Sequence, residues 1–395
     1  MLIQLFLFIF AGIFFGTLTG LIPGIHINLV SIFIISASAT LLSINPIYLV
    51  IFITSMAITH TFIDFIPSIF LGCPDTDTEL SILPGHELLK QGHGYQAILL
   101  TCYGSLAAIF ILLLIAFPST ILISTFYPTI QKYIPYFLIL ISIFLISIEK
   151  NKIPSFVIFI LAGILGFATL NLSVIKEPLL PLLTGLFGSS LLITSIKNKT
   201  KIPKQKIIKP KTSLTRPLLG ALIASPLCSF LPGLGSGQAS IIGNIFTKNS
   251  QKQFLVLIGA TNTLVMGFSF LSLYIISKTR TGAAVAIQQI IQTLNYKTLI
   301  LILSTSLIVG IFSFFLTIFL AKLFSNRLDK LNYFKINIST LIFLTILIFF
   351  ISNIYGILVF ILATLLGIFC ISIGARKTNM MGCLLIPTII WYLFF

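Results

Sequence analysis

The stretch LILILSTSLIVGIFSFFLTIFL, residues 299–320, contains no charged side chain and is long enough to cross a lipid bilayer. A membrane-spanning helix needs roughly 20 consecutive, mainly apolar residues. Comparable runs lie at 136–148, 156–170 and 338–351 with their flanks. All these runs are apolar on every side, whereas the strands of a membrane barrel alternate apolar and polar residues. The sequence therefore predicts an all-α, polytopic integral membrane protein.

The overall composition also indicates that the bilayer is the solvent of this chain. Of its 395 residues, 57% are hydrophobic and 8% are charged, with a mean hydropathy of +1.13. Soluble domains carry about 25% charged residues. The net charge of +16 comes mainly from Lys and Arg in short loops, where such charges set the orientation of membrane helices. We expect a multi-pass protein of the cell membrane, with lipid around it and no nucleic-acid partner.

The N-terminus and the cysteines indicate no other class of protein. The first formally charged residue is Asp64, so a basic signal-peptide region is absent and we expect the first apolar segment to be retained. Five cysteines are scattered singly at positions 73, 102, 228, 370 and 383. Without a CxxC pair, they predict neither a disulfide framework nor a zinc site.

A basic segment, KNKTKIPKQKIIKPKTSLTR at 197–216, divides the chain into two halves of nearly equal length. It carries eight basic residues and no acid, which is typical of a cytoplasmic linker. Equal halves indicate an internal repeat. The sequence predicts a first transmembrane repeat at 1–196, a linker at 197–216 and a second repeat at 217–395. We expect the two repeats to be inverted, with broken helices and re-entrant hairpins.

The apolar runs predict individual membrane segments in each half. The predicted segments are 2–22, 27–43, 47–63, 97–117, 134–149, 153–172, 179–196, 217–231, 237–247, 254–276, 297–323, 336–353, 355–374 and 380–395.

Each half contains one membrane segment that is interrupted by a Pro-Gly pair. GTLTGLIPGIHINLVSI occupies 16–32 and SPLCSFLPGLGSGQASI occupies 225–241, with the two Pro-Gly pairs in register. Proline and glycine together unwind a helix, and the start of a half-helix within the membrane attracts an anion. A simple proline kink or tight helix packing through small residues is the alternative. The predicted substrate-binding residues are Pro23, Gly24, His26, Asn28, Pro232, Gly233, Gly235, Ser236, Gly237, Gln238, Ser240 and Asn262.

A polar patch follows each break, ITHTFIDF at 58–65 and GATNTLVMGF at 259–268. Ionisable groups within a membrane segment are costly and mark functional sites. His60 and Asp64 stand four residues apart, on one face of a helix. They are candidates to bind a coupling ion or a proton, or to satisfy each other.

Three other classes of protein are alternatives: a metal-binding protein, an enzyme and a non-transporting membrane scaffold. All four histidines and five of the eight acids lie between residues 26 and 93, so His26, His60, Asp64 and His86 could build a metal site. Their spacing is irregular, and we predict no resident metal and no cofactor beyond a coupling ion, sodium or proton. Without a GxSxG motif or paired membrane aspartates, an enzyme is not expected.

Three segments resemble the large membrane subunit of the tripartite tricarboxylate transporters, the TctA-like permeases. They are GTLTGLIPGIHINL, then IFLGCPDTDTELSILPGHELLKQGHGYQAILL, and SFLPGLGSGQASIIGNIFTK. The resemblance implies a secondary permease for an organic anion, driven by a proton or sodium gradient. It also implies a small membrane subunit and a solute-binding protein as partners, and the composition would suit an archaeal branch.

The sequence thus predicts an ion-coupled secondary transporter for a small carboxylate, working by alternating access. The alternative is a metal-ion binding or transporting membrane protein that uses the His, Asp and Glu cluster of residues 26–93.

Overall fold

The computed structural model describes residues 2–22, 45–71, 78–149, 151–175, 177–197, 203–231, 234–279, 281–327 and 332–394. Within these ranges the chain forms helices and no β-strand. The all-α, polytopic membrane architecture is therefore confirmed for the described part of the chain.

The first half contains nine described α-helices, a 3₁₀ turn and a short π-helix. The α-helices are α1 (Leu2–Leu21), α2 (Pro46–Ile63), α3 (Phe65–Leu71), α4 (Ile82–Lys90), α5 (Gly94–Gln131), α6 (Ile134–Ser147), α7 (Lys152–Leu170), α8 (Leu179–Leu183) and α9 (Ser190–Lys197). The 3₁₀ turn (Glu79–Ser81) precedes α4, and the π-helix (Thr184–Ser189) joins α8 to α9.

The second half contains seven described α-helices. They are α10 (Thr215–Phe230), α11 (Ser236–Thr247), α12 (Gln251–Ile276), α13 (Gly282–Ile291), α14 (Tyr296–Ser325), α15 (Tyr333–Ser372) and α16 (Gly382–Phe394). A 3₁₀ turn (Lys377–Met381) precedes α16.

Several helices begin at a polar residue whose side chain caps the first turn. The side chains of Asn45, Thr281, Asn295 and Asn332 accept hydrogen bonds from backbone N–H groups at the starts of α2, α13, α14 and α15. Such a cap satisfies a donor that has no partner within the helix. Short polar residues at the ends of apolar runs therefore decide where these helices start.

Eight described segments are long and apolar enough to cross a membrane by length and composition: 3–21, 46–71, 94–129, 152–170, 179–197, 251–276, 296–325 and 334–372. Five predicted segments agree with these bounds within a few residues: 2–22, 153–172, 179–196, 254–276 and 297–323. The segment predicted at 27–43 lies outside the described residues. The segment predicted at 97–117 is wrong at its C-terminal end, because α5 continues through Pro118 and Pro128 to Gln131. The two separate segments predicted at 336–353 and 355–374 correspond to the two parts of α15, which meet at Asn353, where the backbone is not helical and φ is 60°.

Two of the eight segments are enclosed by protein, whereas the other six face outward for much of their surface. Within the apolar window of each segment, 94% of the residues of 46–71 and 89% of those of 251–276 are buried, against 28% to 50% elsewhere. These two segments comprise α2 with α3, and α12. They carry the two polar patches, so both patches lie inside the protein.

Helix α1 packs closely on α2 through glycines at every fourth position, Gly12, Gly16 and Gly20. A Cβ atom at Gly12 would meet Ser55, and one at Gly20 would meet Ile63. Small residues with this spacing let two helices approach closely in a membrane. Because the contacts advance in the same direction along both chains, α1 and α2 run parallel.

Helix α5 packs on α12 in the same parallel manner. A Cβ atom at Gly259 would meet the backbone of Thr101, and one at Gly267 would meet the side chain of Leu112. Further along the same contact, the Ser105 hydroxyl donates to the Gly259 carbonyl oxygen at 3.0 Å.

Packing pairs in the first half have counterparts in the second half. Helix α1 packs on α2 as α10 packs on α12, and α14 packs on α2 as α5 packs on α12. Two further contacts, of α7 with α16 and of α9 with α15, also join a helix of the first half to one of the second half. These contacts support the internal repeat, which stays a prediction.

The described part of the linker, residues 203–214, has no helix or strand and is held on the turn between α4 and α5. The Gln205 side chain accepts from the Gly94 N–H at 2.8 Å and donates to the Leu89 carbonyl at 3.1 Å. The Lys206 N–H also donates to the Gly92 carbonyl at 2.7 Å. The linker is therefore anchored at the start of α5.

Candidate functional site

The two enclosed helices meet at equivalent residues of their polar patches. Thr59-His60-Thr61 in α2 has the same pattern as Thr261-Asn262-Thr263 in α12. The hydroxyl oxygens of Thr61 and Thr263 lie 3.2 Å apart, and both side chains are buried. The patches of the two halves therefore form one polar layer.

Asp64 is the acid of this layer and is bonded to the other half. Its Oδ2 atom accepts a hydrogen bond from Asn262 Nδ2 at 2.8 Å, and the same nitrogen lies 3.5 Å from the Thr61 carbonyl oxygen. The exposed fractions of Asp64 and Asn262 are both 3%. A buried carboxylate needs such donors, because transfer from water into a low-dielectric interior disfavours the charge.

His60 lies one helical turn before Asp64 and contacts α1. Its Nδ1 atom is 3.1 Å from Thr19 Oγ1. Thr59 accepts a hydrogen bond from Ser313 of α14 at 3.0 Å. The first-half patch is thus bonded to three helices of its surroundings, α1, α12 and α14, and its ionisable groups lie inside the protein, away from lipid.

The start of α11 approaches the same layer from the second half. The Ser240 and Thr261 hydroxyl oxygens lie 2.6 Å apart, so Ser240 bonds the residue that precedes Asn262. The Gln238 Oε1 atom accepts from the Gly235 N–H at 2.9 Å and caps the helix start. Gln238 is fully buried, and its Nε2 atom has no hydrogen-bond partner in the part of the chain that the structure describes.

The Gln238 amide nitrogen is therefore a buried donor at the start of α11 without a partner among the described residues. Gly235, Ser236 and Gly237 lie in the first turn, where backbone N–H groups and the helix dipole create a partial positive charge. The unpartnered Gln238 amide is held at this end by its bond to Gly235. An anionic oxygen would satisfy that amide.

Six of the predicted substrate-binding residues lie outside the described residues: Pro23, Gly24, His26, Asn28, Pro232 and Gly233. The other six lie within the described residues: Gly235, Ser236, Gly237, Gln238 and Ser240 at the start of α11, and Asn262 in α12. Of the two predicted coupling residues, His60 contacts Thr19 and Asp64 contacts Asn262. The structure thus brings Ser240 and Asn262 to one polar layer with the coupling pair, and the other four second-half residues lie at the start of the helix that carries Ser240.

The predicted metal alternative finds no ligand cluster here. Within the described ranges, no group of three or more His, Cys, Asp or Glu side chains is close enough to hold a metal ion. His86 belongs to α4, whereas His60 and Asp64 belong to α2 and its end. His26 lies outside the described residues.

His86 has an environment that keeps its ring neutral. The pKa of His86 is lowered from its usual 6.5 to about 4, mainly because burial disfavours the charged ring. A backbone hydrogen bond with Ile69 raises the pKa, and the charges of Lys90 and Lys377 lower it. At neutral pH this ring is therefore uncharged. Nearby, the Glu87 carboxylate accepts a hydrogen bond of 2.6 Å from Gln251, at the start of α12.

Sequence reasoning missed three contributors to the polar layer: Thr19, Thr61 and Ser313. The repeated Thr-x-Thr pattern at 59–61 and 261–263 is a signal that could have identified Thr61 and Thr263 as paired positions. Thr19 and Ser313 lie in apolar helices without any such pattern, so only the packing reveals them.

A multi-pass helical chain with a buried, partly ionisable layer between its halves defines a membrane transport protein. The family model for the tripartite tricarboxylate transporter TctA family matches residues 6–382. The chain belongs to this family of transporter components.

A protein of the archaeon Methanocaldococcus jannaschii, described as uncharacterized, is similar to this chain. The two are 34% identical over 401 residues, which cover 98% of each. This relative is consistent with an archaeal branch of the family. No solved structure matches the chain.

Proposed function

We propose that this protein is an ion-coupled secondary transporter that carries a small carboxylate across the membrane by alternating access. Membership of a tricarboxylate transporter family supports the substrate class. The single observation that carries the proposal is the buried polar layer in which Asp64 of the first half is bonded to Asn262 of the second half.

The start of α11 is the proposed anion-binding element. The helix dipole favours negative charge at this end, and the amide nitrogen of the buried Gln238 side chain still has a donor to offer. A carboxylate of the solute would accept from that amide. Ser236 and Gly237 in the first turn, together with Pro232 and Gly233 before it and Pro23, Gly24, His26 and Asn28 of the first half, complete the proposed site.

Asp64 and His60 are the proposed coupling residues. Each can change its charge by taking up a proton, and the Asp64 carboxylate can also bind sodium, a cation that prefers oxygen ligands. Because both side chains are almost fully buried, with exposed fractions of 3% and 4%, a change of charge there has a large energetic effect on its surroundings.

Alternating access requires two units that move relative to each other, and inverted repeats are the proposed units. The linker joins α9 to α10 and is anchored at the start of α5 by Gln205. Helix α5 therefore starts at the linker face of the membrane. Two further loops are joined by an ion pair, in which Arg376 Nε lies 3.3 Å from Glu149 Oε2. Glu149 follows α6, and Arg376 follows α15.

The course of the chain from these anchors supports opposite orientations of the two halves. A Cβ atom at Gly185 would meet Ala363 and one at Gly367 would meet Ser190, so the second segment of α15 runs parallel to the π-helix and α9, which lead into the linker. This segment therefore ends at the linker face, where Arg376 meets Glu149. The first segment of α15 then starts at the linker face, which is where α14 ends. Helix α14 thus runs opposite to its counterpart α5.

Two protein partners are proposed to assist this permease, which carries out transport by itself when the solute is supplied in excess. The word tripartite in the family description supports a solute-binding protein and a small membrane subunit as partners. Uptake by the purified chain alone would show that both are dispensable.

The test is uptake into lipid vesicles that contain only the purified protein. Radiolabelled citrate, succinate and lactate are offered with an imposed sodium gradient, an imposed pH gradient or neither. We expect a gradient to drive accumulation of at least one of the three. Uptake of all three at the level of empty vesicles, under every gradient, would refute the proposed function.

Gln238→Leu tests the anion-binding element. We expect the half-saturation concentration of the transported anion for uptake to rise roughly ten- to hundredfold in this variant. The reason is that a hydrogen bond to a charged group contributes about 1.5–3 kcal/mol. Gln253→Leu is the matched control, since Gln253 makes the same capping bond to Ser250 at the start of α12. Equal half-saturation concentrations in the two variants would remove Gln238 from the site.

A further inference from the structure

Residues 261 and 262 of α12 connect two parts of the molecule that have separate tasks in the proposed function. Asn262 donates to Asp64 at 2.8 Å, and Thr261 shares a hydrogen bond of 2.6 Å with Ser240. Asp64 ends α2, and Ser240 lies in the first turns of α11, one turn after Ser236, whose carbonyl it bonds at 2.9 Å. Neighbouring residues of one helix therefore touch the coupling carboxylate and the anion-binding helix.

We propose that Asn262, which the sequence predicted as a substrate-binding residue, is instead a positioning residue that couples the state of Asp64 to the start of α11 and does not contact the solute. The inference rests on the proposed function. It deepens that function by assigning the path between the coupling cation and the carboxylate.

The hydrogen bonds of Asn262 favour this assignment. Its Nδ2 atom has two hydrogens, and two oxygens are within reach, Asp64 Oδ2 at 2.8 Å and the Thr61 carbonyl at 3.5 Å. The amide nitrogen is thus engaged with the first half. Gln238, in contrast, has an amide nitrogen that is buried and unpartnered among the described residues.

Occupation of Asp64 by a proton or sodium ion changes what Asn262 donates to. An ionised carboxylate is a stronger acceptor than a neutral or cation-bound one, so the cation weakens the bond to Asn262. The Thr261 hydroxyl donates its one hydrogen to the Leu257 and Ile258 carbonyls, both 3.0 Å away, so it accepts from the Ser240 hydroxyl. A shift of this helical turn therefore moves the Ser240 contact as well, through packed groups and hydrogen bonds that form one continuous network.

The experiment separates coupling from solute binding by two measurements on the same vesicles. Accumulation of labelled citrate, succinate or lactate against its gradient requires the cation, whereas exchange of labelled for unlabelled solute, at equal concentrations on both sides, requires only the solute site. We expect Asp64→Asn and Asn262→Leu each to lose accumulation, about 5- to 150-fold for an ordinary coupling energy, and to keep exchange.

Two further variants complete the design. Thr261→Val removes the link to Ser240 without touching Asp64, and we expect it also to reduce accumulation and keep exchange. Thr263→Val is the control, because Thr263 is buried in the same helix and contacts Thr61 but makes no bond to Asp64 or Ser240. The double variant Asp64→Asn with Asn262→Leu is expected to match the single variants.

The outcomes distinguish this inference from the proposed function. If Asp64→Asn accumulates solute normally, or if the wild-type protein transports none of the three anions, the proposed function is wrong and the inference falls with it. If Asp64→Asn loses accumulation while Asn262→Leu and Thr261→Val keep it, only the inference is wrong. A raised half-saturation concentration for exchange in Asn262→Leu would make Asn262 a solute ligand and overturn the inference too.

Discussion

Helices α2 and α12 have the same place in their halves but different chemistry. Both are enclosed by protein, and both carry a Thr-x-Thr patch. In α2 the patch contains His60 and is followed by Asp64, whereas α12 has Asn262 and no acid or histidine along its length. One half can change its charge, and the other half supplies neutral donors.

The segments that follow these helices repeat the same contrast. A hydroxyl pair closes each segment, Ser68 with Thr78 and Ser269 with Thr281. The first segment continues into α4 with His86 and Glu87, whereas the second carries Lys278, whose ammonium lies 5.4 Å from the centroid of the Tyr127 ring. The hydroxyl pairs are alike in the two halves, whereas the charged side chains beside them differ.

The largest expected effect tests whether α12 depends on its close contact with α5. In Gly259→Leu the new Cβ would meet the Thr101 backbone, and overpacking of this kind costs about 3 kcal/mol or more where backbone cannot yield. We expect no monodisperse folded protein by size-exclusion chromatography. Gly188→Ala is the control, because a Cβ there meets only Thr184 Cγ2 at 3.8 Å; equal yields of the two variants would contradict the tight packing.

A smaller effect is expected when the two patches are made alike. His60→Asn turns Thr-His-Thr into Thr-Asn-Thr, which retains hydrogen bonding but removes a group that can take up a proton. We expect accumulation driven by a pH gradient to fall about 5- to 150-fold, with the folded yield unchanged. Vesicles with imposed pH gradients give the measurement, and a variant with wild-type accumulation would leave His60 a structural residue.

The smallest effect concerns the contact between the two patches. Thr61→Val and Thr263→Val each remove the same buried hydrogen bond, which is worth about 1 kcal/mol. We expect each variant to lower the thermal unfolding temperature by a few degrees at most, and the double variant to lower it no further than one of them. Additive shifts in thermal unfolding would show that the two hydroxyl groups act independently.

Sequence reasoning located most helices because their signals are local. Predicted starts at 47, 134 and 297 correspond to Pro46, Ile134 and Tyr296, where an apolar run begins next to a capping or turn residue. The short helix α13 was not predicted as a segment, since its ten residues are too few to cross a membrane. The segment predicted at 97–117 ended just before Pro118, whereas α5 continues through Pro118 and Pro128 to Gln131, because membrane helices tolerate proline in their interior.

The sequence by itself determined that this protein is a multi-pass helical membrane protein of a carboxylate transporter family, and it identified His60 and Asp64 as unusual charges within apolar segments. Only the tertiary structure decided that α2 and α12 are the enclosed helices and that the partner of Asp64 is Asn262, 198 residues away. The physical reason is that lipid tails are as apolar as leucine side chains. Hydropathy therefore identifies what enters the membrane but cannot distinguish a surface that faces lipid from one that faces another helix.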